Sequence, residues 1–315
     1  MKKEFIYEND ERLESCHAST LVEPAAGEVL AAWFGGKEEG DPSVKIWTSR
    51  RTAAGWSKPE IAAAEEGVPC WNPVLHVDAK QRVWLFYKAG ESPESWSGIY
   101  RVSTDGGRTW GEKNHLPAGL LGPIKNKPIV LQSGELVCGT SVESWRAWTC
   151  WVEILDPRTG QWSRHGPIAV KGENYGVIQP TLWELEPGHV RMLMRATRRI
   201  GVICRADSVD GGRSWFPAEP TDLPNPNAGI DAVKMKDGRI ALVYNDTKSG
   251  RSPLSVALSD DGGATWRKAV ELENEPRMEF SYPAVIQARN GDLMTTYTWK
   301  RRRIAFAVIP QNEVR

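Results

Sequence analysis

The sequence has no surplus of either charge, with 40 Lys and Arg against 40 Asp and Glu in 315 residues. Without a basic excess there is little to neutralise a phosphate backbone, so nucleic acid is not an expected partner. No apolar run approaches the ~18 residues of a membrane helix. The opening Met1-Lys-Lys-Glu-Phe-Ile is too charged for a secretory signal, and the expected location is the cytoplasm, away from any membrane. Cysteine is sparse: five residues, an odd number with no CxxC spacing, argue for buried thiols rather than a disulfide frame. His17, His76, His115, His165 and His189 lack ligand-like spacing, so no metal is expected. No glycine-rich phosphate loop joins a strand to a helix, and no cofactor is expected.

What the chain does have is tryptophan, 15 in all, and repetition. Ser103-Thr-Asp105-Gly-Gly107-Arg-Thr-Trp110 recurs as Ser208-Val-Asp210-Gly-Gly212-Arg-Ser-Trp215 and as Ser259-Asp-Asp261-Gly-Gly263-Ala-Thr-Trp266. In such a box the Asp can bond nearby amides, the glycines permit positive φ, and the Trp folds back as packing. The boxes therefore read as structural hairpins. Degenerate copies end at Gly55-Trp56 and Gly160-Gln-Trp162.

A second repeat consists of a short apolar run, a turn and another apolar run. Its first strands begin at His17, Asn72, Lys127, Gln179, Asp231 and Tyr282, spaced 55, 55, 52, 52 and 51 residues apart. Six copies at that period predict an all-β, six-bladed β-propeller forming one domain over residues 1–315. The last copy runs out of chain after three strands. Glu4-Phe-Ile-Tyr7 is the expected fourth, closing the last blade from the N-terminus.

In a propeller the innermost strands run the same way, so their first residues are expected to meet at one mouth. Here those residues are six different polar side chains, a pattern suited to an asymmetric polar ligand. Neighbouring residues add to it. Lys125 precedes Lys127, Asn227 lies in the loop entering the fifth copy, and Trp71 beside Asn72 is a candidate stacking wall. Glu39 and Asp41 follow the second strand of the first copy, on a loop expected to overhang the mouth.

The boxes and the sixfold repeat resemble the sialidase superfamily with bacterial-neuraminidase (Asp-box) repeats, over essentially the whole chain. Cys16-His-Ala-Ser-Thr20, Trp71-Asn-Pro, Gly122-Pro-Ile-Lys-Asn-Lys-Pro128 and Glu279-Phe-Ser-Tyr-Pro283 are similar to its bacterial "predicted neuraminidase" branch. The resemblance implies a glycan ligand and places Tyr282 as nucleophile, Glu39 or Asp41 as acid/base, and Arg195 and Arg251 as carboxylate-binding arginines. Two positions depart from the family. The first-blade Arg is replaced at His17, and the Glu that activates the Tyr is matched by Gln179, leaving Asp231 as a substitute base. Ordinary sialic acid is therefore not the expected sugar. The implied activity is exo-acting hydrolysis of an acidic or polar terminal sugar. The alternatives are a uronate-directed lyase using His17 and Tyr282, and a non-catalytic sugar-binding propeller. Asn72, Lys125, Lys127, Gln179, Trp71 and Asn227 complete the expected substrate contacts.

Overall fold

A computed structural model describes residues 1–314. The chain is all-β, with six antiparallel sheets arranged as a β-propeller. Among the described residues no helix is long and apolar enough to cross a membrane. The chain divides into two compact units: residues 1–121 with the segment from Glu279 onward, and the contiguous stretch Gly122–Met278.

The first unit holds the first, second and sixth blades. The first blade is Ser15–Ala25, Glu28–Gly36 and Lys45–Thr52, edged by Gly55–Trp56 and Glu60–Ala63. The second is Cys70–Val77, Val83–Ala89, Ser97–Ser103 and Asn114–His115. The sixth is Phe280–Gln287, Leu293–Trp299 and Arg303–Ile309, completed by Lys2–Phe5 from the other end of the chain. Lys2 pairs with Val308 and Phe5 with Ala305, so the predicted N-terminal closure is present.

The second unit holds the third, fourth and fifth blades. Their inner strands are Ile129–Val130, Val177–Glu186 and Asp231–Lys234. Alternation in every blade sends Val, Ile, Leu and Met into sheet-to-sheet cores, such as Val137, Val152, Met192 and Met194. All five cysteines are buried thiols within these layers.

The Asp boxes tie each blade to the one before it within its unit. Asp105 accepts from the Ser103 hydroxyl at 2.6 Å, the Arg108 amide at 2.9 Å and the Thr109 hydroxyl at 2.6 Å. Gly107 then passes so close to Leu30 of the first blade that a Cβ would lie 2.4 Å from its Cδ2. The fifth-blade box repeats the arrangement against the fourth, with Gly263 against Trp183 and the Gly262 carbonyl accepting from the Trp183 indole at 3.2 Å. The boxes are structural wedges, as their residue types imply.

Candidate functional site

Four inner strands carry a β-bulge at their start. Register shifts fall between His17 and Thr20, Trp71 and Val74, Ile178 and Thr181, and Ser281 and Ala284. The first bulged residue is left-handed in each: Ala18, Asn72, Gln179 and Tyr282, with φ of 53°, 37°, 53° and 51°. Such conformations cost on the order of 1–3 kcal/mol for non-glycine residues. Pro73, Pro180 and Pro283 follow, where a bulge leaves an amide unpaired and the missing N–H is tolerated. In the first blade the equivalent of Tyr282 is therefore Ala18, one residue beyond the expected His17. No proline marks the position there, which is why the spacing alone slipped.

In the first unit, His17 sits one residue before its bulge and is buried. Its Nδ1 is 2.9 Å from the Thr298 hydroxyl, and its ring centroid is 4.0 Å from that of Tyr282. Tyr282 is 8% exposed. Asn72 is buried at the second-blade start, and its carbonyl accepts from the fully buried Lys88 at 3.4 Å. Trp71 was expected as a stacking wall. It is instead buried between Phe34 and Trp96, its indole donating to the Gly90 carbonyl at 2.8 Å.

The loop after the second strand of the first blade is internally bonded. Ser43 donates its amide to Asp41 at 2.8 Å, and bonds from Ser43 hold that carboxyl below the usual carboxylate range. Glu39 reaches Arg301, whose Nε donates to Glu279 at 2.8 Å. Arg301 opens a run of three arginines, and the structure turns it onto two carboxylates, Glu39 and Glu279.

The second unit holds a buried basic cluster. Lys127 Nζ donates to Asp231 at 2.8 Å and to the Ala232 carbonyl at 2.7 Å. Thr181 and the Ala232 amide satisfy the other Asp231 oxygen at 2.9 and 3.0 Å. Lys125, 3% exposed, donates to Asn126 at 2.8 Å and to the Ile230 carbonyl at 3.0 Å. Burial pushes its amine down to about 7; Lys127 and Arg195 add to this and Asp231 opposes it. Arg195 donates to the side-chain oxygens of Gln179 at 3.0 Å and Asn227 at 2.8 Å. Both acceptors are neutral amides. Lys127 bonds the Asp231 carboxylate, with Lys125 and Arg195 close by. Arg251 lies half-buried on the loop between the second and third strands of the fifth blade.

Sequence reasoning missed Thr181, Thr298, Lys88 and Arg301. Lys88 had a legible signal, a lysine inside the apolar run Val83–Ala89. The others had none, because their partners lie far away along the chain.

Box hairpins, six sheets and polar side chains gathered at strained strand starts define a sialidase-like propeller with bacterial-neuraminidase repeats. The family profile described as BNR repeat-like domain matches residues 27–295, and the chain belongs to that family. No curated protein matches the sequence. Among solved structures it is similar to a protein of unknown function from Dyadobacter fermentans, at 16% identity and TM-score 0.82, with 98% of each chain covered. The NanB sialidase of Streptococcus pneumoniae is 13% identical at TM-score 0.79, covering 99% of this chain and 71% of that one. The intramolecular trans-sialidase of Ruminococcus gnavus is 12% identical at TM-score 0.74, with 96% of each chain covered. At such identities the likeness establishes the fold.

Proposed function

We propose that the chain is an exo-acting glycoside hydrolase taking a terminal sugar that bears an acidic or strongly polar group. The observation that carries this reading is Tyr282, a buried phenol forced into a left-handed conformation and laid against the imidazole of His17. Strain of that kind in a bulky residue is kept where the side chain must point one way.

In this reading the Tyr282 oxygen attacks the anomeric carbon as the bond to the leaving oxygen breaks, and His17 takes the phenolic proton. Water then attacks the anomeric carbon, the bond to Tyr282 breaks, and His17 returns the proton to the phenol oxygen as Asp41 takes one from the water. A neutral nucleophile suits an anomeric centre beside a carboxylate, since it avoids repulsion between like charges. Asp41 protonates the leaving oxygen. Bonds from Ser43 hold its carboxyl below the usual carboxylate range, and a sugar closing over it raises its proton affinity by removing water, so that it takes up a proton from solvent before the bond breaks. Asp231, expected as the base for Tyr282, is engaged with Lys127 and Thr181, and in this proposal it orders the basic cluster. Within the second unit, Lys125, Lys127 and Arg195 are proposed as the residues that meet an acidic substituent. Asn72, Gln179, Asn227 and Arg251 are proposed as further contacts.

The His17–Tyr282 contact also favours a second reading, a lyase in which His17 removes a proton and Tyr282 protonates the departing oxygen of a uronate glycoside. One experiment separates the two. The protein is incubated with 4-methylumbelliferyl glycosides of several acidic sugars and with uronate oligosaccharides, following fluorescence and near-ultraviolet absorbance. Hydrolysis releases the fluorophore, and elimination produces an absorbing unsaturated sugar. The hydrolase reading expects Tyr282→Phe to lose orders of magnitude in turnover, and full activity in that variant rules it out. Saturable binding of an acidic sugar without turnover leaves a sugar-binding propeller.

A further inference from the structure

We propose that Arg301 is a two-armed positioning residue, joining the loop of residues 37–43 to the strand start that carries Tyr282. The role rests on the reading of Tyr282 as nucleophile, but the join itself is a matter of geometry.

Lys300 and Arg301 are consecutive left-handed residues, with φ of 53° and 60°. Glycine or asparagine would make this three-residue turn with less strain, since a Cβ crowds the backbone in that region. The turn is bonded on both sides. The Lys300 amide donates to the Glu279 carbonyl at 2.7 Å, and the Arg301 carbonyl accepts from the Cys16 amide at 2.9 Å, next to His17. The backbone of the turn is thus fixed to the two strand starts that bring His17 and Tyr282 together.

The side chain extends that fixation. Nε of Arg301 donates to Glu279 at 2.8 Å, and the same Glu279 oxygen accepts from the Ser281 hydroxyl at 2.7 Å, one residue before Tyr282. The other arm reaches Glu39. That carboxylate lies on an exposed loop already turned on itself, with Lys37 donating to Ser43 at 3.1 Å and the Val44 amide to Asp41 at 2.9 Å. A planar guanidinium can engage two carboxylates from different directions, which an ammonium point charge does less well. Glu39 is therefore an anchor, and the loop it anchors presents Asp41.

The test is hydrogen–deuterium exchange of the full chain, read peptide by peptide. Arg301→Gln is expected to speed exchange by about tenfold both in residues 37–43 and in 279–282. Glu39→Ala is expected to speed it in the loop alone, and Glu279→Gln at the strand start alone. Unchanged exchange in Arg301→Gln, or a uniform rise across the sixth blade, overturns the proposal. Should Arg301→Gln fail to fold, Glu39→Ala decides, since it removes an exposed carboxylate, and unchanged loop exchange there is equally fatal. On a fluorogenic glycoside that the protein turns over, Arg301→Lys is expected to lower kcat at least tenfold with KM within about twofold, the signature of lost positioning rather than lost binding. A wild-type protein that turns over no glycoside removes the hydrolase reading, and the exchange pattern still decides the clamp.

Discussion

The Asp-box wedge makes a quantitative claim that two alanine substitutions can test. Gly263 has φ of +93°, and a Cβ there would lie 2.6 Å from Cζ2 of Trp183 and 3.4 Å from Trp266. Gly238 has nearly the same backbone, φ of +90°, at a turn where a Cβ meets nothing within 4 Å. Both variants incur the left-handed penalty of alanine, roughly 1–2 kcal/mol. Only Gly263→Ala also drives a methyl group into an indole whose N–H is tied to the Gly262 carbonyl at 3.2 Å and which is buried to 1% exposure. Overpacking of this kind costs about 1–3 kcal/mol. The two variants should therefore differ by that packing cost, roughly 1.5–4.5 °C in melting temperature for a chain of this size. Paired thermal and urea melts followed by circular dichroism give the difference directly. If Gly263→Ala is no less stable than Gly238→Ala, the box does not wedge the fifth blade against the fourth.

Other expectations concern charge. Removing Lys127 as Lys127→Met takes away the ammonium bonded to the buried Asp231 carboxylate and should cost about 3 kcal/mol. Replacing both partners with Leu should recover much of that loss in urea melts, whereas equal stability of all three proteins would contradict the pairing. Lys125 has a folded-state pKa near 7, below the 10.5 of an ordinary lysine. The unfolded chain therefore binds the extra proton between those values, and stability should rise with pH across that window and be lost as pH falls toward 7. Lys125→Met should flatten this slope relative to wild type, and an unchanged difference between pH 7 and pH 10 would refute the shift. If Asp41 is the acid, Asp41→Asn should slow a glycoside with a poor, alkoxide-like leaving group far more than an aryl glycoside. Equal slowing of both would move the acid elsewhere.

Much of the architecture could be read from residue types because each repeat carries its own punctuation. Boxes with Gly at the wedge, an X-Pro step at three of the bulges and a final copy short of one strand fix blade number and closure. The candidate site was legible where a polar residue precedes that proline, at Asn72, Gln179 and Tyr282. It slipped at the first blade, where Ala18-Ser19 adopts the same bulge without proline to announce it. Arg301 was opaque for a different reason. Three consecutive arginines look like solvent-facing charge, and the two carboxylates that pull one of them inward lie 22 and 262 residues away. Trp71 shows the opposite failure. An aromatic beside a polar anchor suggested a sugar platform, but packing against Phe34 and Trp96 claims it first.

The pairing of Lys2–Phe5 with Arg303–Ile309 has a consequence for how the protein is made. Lys2–Phe5 cannot find its neighbour until Arg303–Ile309 has been made, so the sixth sheet is assembled from segments about 300 residues apart in sequence. Gly122–Met278, by contrast, is continuous and can condense while synthesis is still under way. Biogenesis should therefore be vectorial, with Gly122–Met278 gaining protease resistance before Lys2–Phe5 does.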